Sequence, residues 1–235
     1  MFPDSTSNIR SGTPEKLVGP LNDIEKKFAP AKLYFIGNEE LLSKHPRVSI
    51  IGTRKPSERA KEYTHSLTTF LVVNKCVIVS GLAKGIDSIA HRTAIDKKGD
   101  TIAVLGNPLD TYYPEENRIL QDKIMKDHLL ISQFPIGSAI QRKNFPIRNR
   151  TMALLSDASI IVEASKGSGT IHQGWEALRL GRPLYIIEDE KKENDLGWAS
   201  DLIKYGAEIV PISQMKIILE SLPTQIEMVI ESAPF

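Results

Sequence analysis

Arg54 and Lys55 in "GTRKPS", Lys84 in "GLAKGID", Lys143, Arg148 and Arg150 in "QRKNFPIRNR" and Lys166 in "SKGSGT" lie in segments that follow short apolar runs. Cations next to glycines and helix starts suit one chemistry, the grip of an oxyanion. Guanidinium and ammonium groups supply charge, glycine lets the backbone come close, and a helix start offers free N–H groups at a positive dipole end. Gly52, Gly81, Gly85, Gly106, Gly167 and Gly169 are the close-approach positions, with helix starts expected at Gly85 and Thr170. A single glycine turn says little, because tight turns need glycine anyway. The weight lies in the conjunction. The competing reading of each cation is a salt bridge to a neighbouring Asp or Glu.

The elements that must hold these residues can be read from periodicity. The runs "VSII", "VIVS", "TIAVL", "LLIS", "SIIVEA", "PLYII" and "AEIV" alternate with helix-like stretches, which predicts an α/β fold with a mostly parallel sheet. Their continuous apolarity predicts burial on both faces, with helices above and below. Strand-to-helix loops of such a sheet gather at its carboxyl edge, where ligands bind. In "SERAKEYTHSLTTFLVVN" the stripe Ala60, Tyr63, Leu67, Phe70 and Leu71 predicts a helix capped by Ser57. In "NFPIRNRTMALLSDA" Asn144 is the expected cap, Pro146 sits in the first turn, and Ile147, Met152, Ala153 and Leu155 supply the buried side.

Composition narrows the classes. With 235 residues, 41% of them hydrophobic, the chain can bury a full core. Thirty basic residues against 29 acidic leave a net charge near zero, so an anionic partner must be met by a local patch. Cys76, alone and inside "CVIVS", excludes internal disulfides and reads as a buried thiol in a reducing cytoplasm. No signal core or membrane-length apolar run appears. Residues 1–20 read as an irregular arm, 21–212 as the core domain, 213–235 as a C-terminal helix and tail, and 188–195 as a solvated charged loop.

Several sharper motifs are excluded. "GSGTIH" fails the dinucleotide fingerprint, no Walker lysine loop occurs, and the five histidines lack metal-ligand spacing, so no cofactor or metal is expected. Asp87 and His91, four apart on one helix, read as structural: the carboxylate favours the helix start and the imidazole packs nearby. His172 is either a phosphate contact or plain helix surface. Tyr112 and Tyr113, like Phe134 and Phe145, either face a base or pack a turn.

The motifs "SIIGTRKPS", "VSGLAKGIDSIAH", "GDTIAVLGNPLDTYYPEEN", "LISQFPIG", "FPIRNRTMALLSDASIIVEASKGSGT" and "ALRLGRPLYII" follow one another in the order and spacing of the DNA-processing protein A family (DprA/Smf). The chain resembles that family from about Leu21 to Ile212. The resemblance implies an extended Rossmann-like fold, a homodimer, and sequence-independent binding of single-stranded DNA. It also implies protection of incoming DNA and assistance to the RecA recombinase in DNA uptake and recombination, without enzymatic activity. By matching positions, Arg54, Lys55, Gly81, Lys84, Gly85, Lys143, Arg148, Asn149, Arg150, Lys166, Gly167, Ser168, Gly169 and Thr170 would hold backbone phosphates. Phe145 and Tyr112 would stack on bases. Charge reversal at Arg54 or Arg148 would then weaken DNA binding without unfolding the protein.

The chain also departs from the family. Gln133 stands where a glutamate is usual, and Gln173 and Gly174 after His172 stand where a Thr-Ala pair is usual, so the pocket floor differs. The small N-terminal helical domain and C-terminal winged helix of many members have no counterpart in the matched stretch. A second reading comes from nucleoside-monophosphate phosphoribohydrolases, Rossmann-like enzymes with a similar glycine-threonine loop. Those carry an acidic pair directly after that turn. Here Ile171, His172 and Gln173 follow it, leaving Glu163 and Glu176 as the nearby carboxylates.

Overall fold

The computed structural model describes residues 8–189 and 196–222. Its elements run β1 (Arg10–Gly12), α1 (Pro14–Val18), α2 (Asp23–Phe28), β2 (Leu33–Gly37), β3 (Arg47–Ile51), α3 (Glu58–Val73), β4 (Val77–Ser80), α4 (Ile86–Asp96) and β5 (Thr101–Leu105). They continue with α5 (Arg118–Asp127), β6 (Leu129–Ser132), α6 (Asn144–Leu154), β7 (Ala158–Ile161), α7 (Gly169–Arg179), β8 (Leu184–Glu188), α8 (Ser200–Lys204), β9 (Glu208–Pro211) and α9 (Lys216–Glu220).

The strands form one sheet in the order β1-β2-β6-β5-β4-β3-β7-β8-β9. From β3 to β9 every neighbouring pair outside the β2 edge is parallel, while β2 runs antiparallel to both β6 and β1. The chain steps outward from β3 to β6, then returns through α6 to place β7 on the other side of β3. That reversal is the point at which such sheets open a crevice above their carboxyl ends.

Continuous apolarity in the central strands splits by residue parity between two faces. Val77 and Val79 of β4 and Ile102 and Val104 of β5 join a core with Met152 of α6 and Ala177 of α7. Their neighbours turn the other way. Ile78 packs with Leu67 and Leu71 of α3 and Ala90 and Ala94 of α4, and Ala103 and Leu105 pack with Leu120 and Ile124 of α5. Helices therefore cover both faces. The polar residues of these strands are paired inside the sheet: Ser49 Oγ donates to Ser159 Oγ at 2.7 Å and Ser80 Oγ to the Ile50 carbonyl at 2.7 Å. Ser57 caps α3 as its position predicts, accepting from the Ala60 N–H at 3.2 Å. Cys76 is buried, and burial pushes its thiol up to about 12.

The N-terminal stretch is not irregular throughout. Residues 10–12 pair as an edge strand with Leu33–Phe35, and 14–18 form a helix with Pro14 in its first turn. Leu17 and Val18 of that helix pack against the core, which explains why so short a segment is ordered. Residues 1–7 of the expected arm, 190–195 of the expected charged loop and 223–235 of the expected tail lie outside the described residues. Asp189, at the start of that loop, accepts from Arg59 Nη1 at 2.7 Å and from the Tyr63 hydroxyl at 2.9 Å, so it is anchored rather than solvated. Among the described residues, no helix is long and apolar enough to cross a membrane.

Candidate nucleic-acid interface

A cleft of about 410 Å³ opens above the carboxyl end of β3, where β4 and β7 flank it. Its walls come from four separate stretches: Ile51 to Lys55 after β3, Ala83 and Asp87 at the start of α4, Phe145 to Met152 on α6, and Ser168 to Gln173 on α7. A narrow recess adjoins it, lined by Gly81, Lys84, Asn107, Tyr113 and Pro114, and shares Arg54, Ala83 and Phe145 with the cleft.

Each wall is placed by local chemistry. Gly85 holds φ +79° at the N-terminus of α4, and a Cβ there would lie 2.4 Å from the Thr53 carbonyl oxygen, so only glycine brings the α4 start against the β3 loop. Asp87 in the first turn of α4 accepts from the Gly81 N–H at 3.2 Å and the Ala83 N–H at 3.4 Å, which folds the β4 loop over its own helix. Burial pushes the Asp87 carboxyl up, against the opposing pull of Arg148 and those two amides. Asn144 does not cap α6. It is the first helical residue and buried, and Lys143 holds the cap position with no side-chain bond. Pro146 sits in the first turn, where its missing N–H costs nothing.

Arg148 is the buried cation of the site, 6% exposed. Its Nη1 donates to the Val104 carbonyl at 2.7 Å and its Nε to Asn149 Oδ1 at 3.1 Å. A Cβ on Gly81 would fall 1.7 Å from Nη1, so that glycine is the slot through which the guanidinium passes. Burial lowers the Arg148 pKa; Asp87 raises it and Arg54 lowers it further. Two like charges thus face one cleft. Arg54 itself is exposed, with its guanidinium carbon 5.8 Å from the centre of the Phe145 ring.

The expected site residues divide. Arg54, Lys55, Phe145, Arg148, Asn149, Ser168, Gly169 and Thr170 line the cleft, and Gly81 and Lys84 line the recess. Gly85 supports the cleft from the α4 start. Lys143, Arg150, Lys166 and Gly167 are exposed and belong to neither lining. The salt-bridge reading holds for two cations: Lys84 pairs with Glu116, and Arg150 Nε with Glu176 at 3.2 Å.

Tyr112 is placed away from the cleft. Its hydroxyl donates to Asp122 at 2.5 Å, Arg118 lies 4.7 Å from its ring centre, and it belongs to neither lining. Tyr113 takes the expected place, 5.3 Å from the Phe145 ring. His172 is exposed on α7, and Gln133 accepts from the Thr151 hydroxyl instead of entering the cleft.

Thr53, Asp87 and Gln173 are cleft residues that the loop pattern alone did not assign to phosphate. Gln173 could have been found from its spacing, since it follows Gly169 by one helical turn and so shares its face. Of the carboxylates an N-glycosidic hydrolysis could use, Asp87 in the cleft is held by the Gly81 and Ala83 amides, and Glu163 and Glu176 are engaged elsewhere. Glu163 Oε2 accepts from the Ser57 N–H at 2.9 Å, and Glu176 is bound by Arg150 and by Arg179 at 3.0 Å. Neither lines the cleft. Among the described residues no group of three His, Cys, Asp or Glu is placed to hold a metal.

The family described as DNA recombination-mediator protein A matches residues 14–223. The DNA processing protein DprA of Streptococcus pneumoniae is 38% identical over 186 residues, 79% of this chain and 65% of that protein. The solved structure of that DprA superposes with a TM-score of 0.79 at 32% identity, covering 94% of this chain and 77% of the other. A structure of DNA processing protein A from Helicobacter pylori, described for its single-stranded DNA binding mode, gives 0.75 at 30% identity and covers 91% of this chain and 98% of the other. The chain spans 46% to 65% of the length of three curated relatives that it matches.

Proposed function

The chain belongs to the DNA recombination-mediator protein A family, and on that basis we propose that it binds single-stranded DNA through the cleft above β3, without enzymatic turnover. One observation carries this reading. The guanidiniums of Arg54 and Arg148 and the first turn of α7 converge on a single crevice whose side wall is the Phe145 ring. A phosphate between the two arginines relieves their mutual repulsion, the α7 N–H groups complete its shell, and the ring takes the face of a base. None of these contacts depends on which base is present, so the grip is sequence-tolerant and weakens with salt.

In the cell this activity would shield incoming single strands and assist RecA during DNA uptake and recombination, with the protein acting as a homodimer. The parallel reading as a phosphoribohydrolase has less support, because Glu163 and Glu176 are held by backbone and arginine partners outside the cleft.

The deciding experiment titrates labelled oligo-dT at two salt concentrations and, separately, incubates the protein with AMP while free adenine is measured. Tight, salt-sensitive binding without adenine release is the expected result. Adenine release without oligonucleotide binding would overturn the proposal.

A further inference from the structure

Eight buried side-chain atoms find no hydrogen-bond partner among the described residues, and three of them belong to the lining of the cleft: Ser168 Oγ and both amide atoms of Gln173. Gln173 is 1% exposed and is the one side chain of that set to leave a donor and an acceptor unpaired together. Buried amides are almost always bonded, so an orphan of this kind marks a group waiting for a partner. The other amide of the cleft cannot serve it. Asn149 already donates to the Gly169 carbonyl at 3.3 Å and accepts from Arg148.

The pair of orphaned atoms restricts the chemistry of that partner. A phosphate offers acceptors alone and would leave Gln173 Oε1 without a donor. The edge of a nucleobase places a donor beside an acceptor, which is the complement of a primary amide. Gln173 lies one turn into α7, beneath the helix start that faces phosphate, so backbone and base would be met at successive depths. A cleft of about 410 Å³ has room for one nucleotide unit. Phe145 and Gln173 line this cleft together, the ring suited to the face of a base and the amide to its edge.

We propose that Gln173 is a specificity-determining residue that reads the edge of one base seated in the cleft. The inference rests on the single-strand reading above and deepens it: phosphate contacts supply the grip, and one position along the strand carries a base preference. The same base could arrive in a strand or as a free nucleotide.

The test compares wild type with Gln173→Met, an apolar change of similar length, using labelled dT, dC and dA strands of about 12 nucleotides. Free dTMP, dCMP and dAMP serve as a second set of ligands. Strand stacking differs among homopolymers but is common to both proteins, so the change in the ratio of Kd values isolates the residue. The expected result is a spread of Kd in wild type that narrows by about fivefold or more in the variant. The variant should melt no lower than wild type, because the orphaned amide is gone.

An unchanged spread in Gln173→Met, or equal binding of all three bases by wild type, would overturn the inference while leaving single-strand binding intact. Should Gln173→Met fail to fold, Gln173→Asn, which withdraws the amide without removing it, must narrow the spread in the same way. Mononucleotide selectivity lost in the variant, with no strand bound by either protein, would keep the base-reading role and remove the single-strand function. Absence of both kinds of binding would remove both.

Discussion

Arg148 and Arg150, two residues apart on α6, face opposite sides of the helix. Arg148 is buried against the Val104 carbonyl in the cleft, whereas Arg150 pairs with Glu176 and lies 5.9 Å from the Phe28 ring on the outer surface. Helical geometry turns side chains two apart by about 200° and forbids a shared face. One hexapeptide therefore supplies a cleft cation and a surface ion pair.

Salt dependence separates the two roles. Arg54→Ala should weaken single-strand binding and flatten the plot of log K against log salt by about 0.7, the share of one phosphate contact in single strands. Arg150→Ala removes a cation already held by Glu176, so it should leave the slope nearly unchanged. Fluorescence anisotropy at several salt concentrations checks both. Equal slopes for Arg54→Ala and wild type would place the DNA elsewhere.

The expectation that charge reversal at Arg148 spares the fold does not survive its burial beside Asp87. Arg148→Glu puts two carboxyls in one buried place and should cost about 3–5 kcal/mol. Gly81→Ala should act on the same group from the other side, since its Cβ would meet Nη1 at 1.7 Å and expel the guanidinium. Urea denaturation measures both losses, and Arg54→Glu, at an exposed position, provides the variant that folds normally and binds poorly.

Aromatic contacts give a third discrimination. Phe145→Ala should weaken binding by about 1–3 kcal/mol, the range for loss of one base stack. Tyr112→Ala should leave affinity unchanged, because it lies outside both the cleft and the recess, with its hydroxyl held by Asp122. Anisotropy titration of the two variants side by side tests the placement.

His91 makes stability depend on pH. Burial takes its imidazole down to about 3, and its Nδ1 is bonded to the Thr101 hydroxyl at 2.7 Å. Below the unfolded value of about 6.5 the unfolded chain binds a proton that the folded protein refuses. The contribution is therefore present above that value and is lost as pH falls toward about 3. Between about pH 7.5 and about pH 5 the loss from this group is about 2 kcal/mol. Burial shifts His128 the same way. Denaturation midpoints at the two pH values should lie closer together in His91→Gln than in wild type.

The central parallel strands were readable because each is a short apolar run buried on both faces, and "VIVS", "TIAVL" and "LLIS" coincide with β4, β5 and β6; the edge strand β9 departs from that expectation, with Glu208 and Ile209 exposed. Element β2 escaped as a strand although "LYFI" is a short apolar run, because it stands before the strand–helix alternation and its antiparallel partners lie about 95 residues away. Helix α2 carried a readable signal, the reciprocal Asn22 and Glu25 capping box, but six residues are too few to show an apolar stripe. In the site, the loops that converge were legible from strand order alone. The inward turn of Arg148 and the placing of Tyr113 rather than Tyr112 beside Phe145 were not, since each is decided by packing between distant segments, and for Gln173 the sequence showed its place in the pocket but not its unpaired amide.

The cleft is lined by stretches scattered from Ile51 to Gln173, so a bound strand would act as a removable cross-link among segments that lie far apart in the chain. The domain could then open only by letting the nucleic acid go. Backbone amides of β3, β4 and β7, the strands beneath the cleft, should exchange their protons more slowly in the complex, by a free energy that grows as RT ln(1 + [L]/Kd).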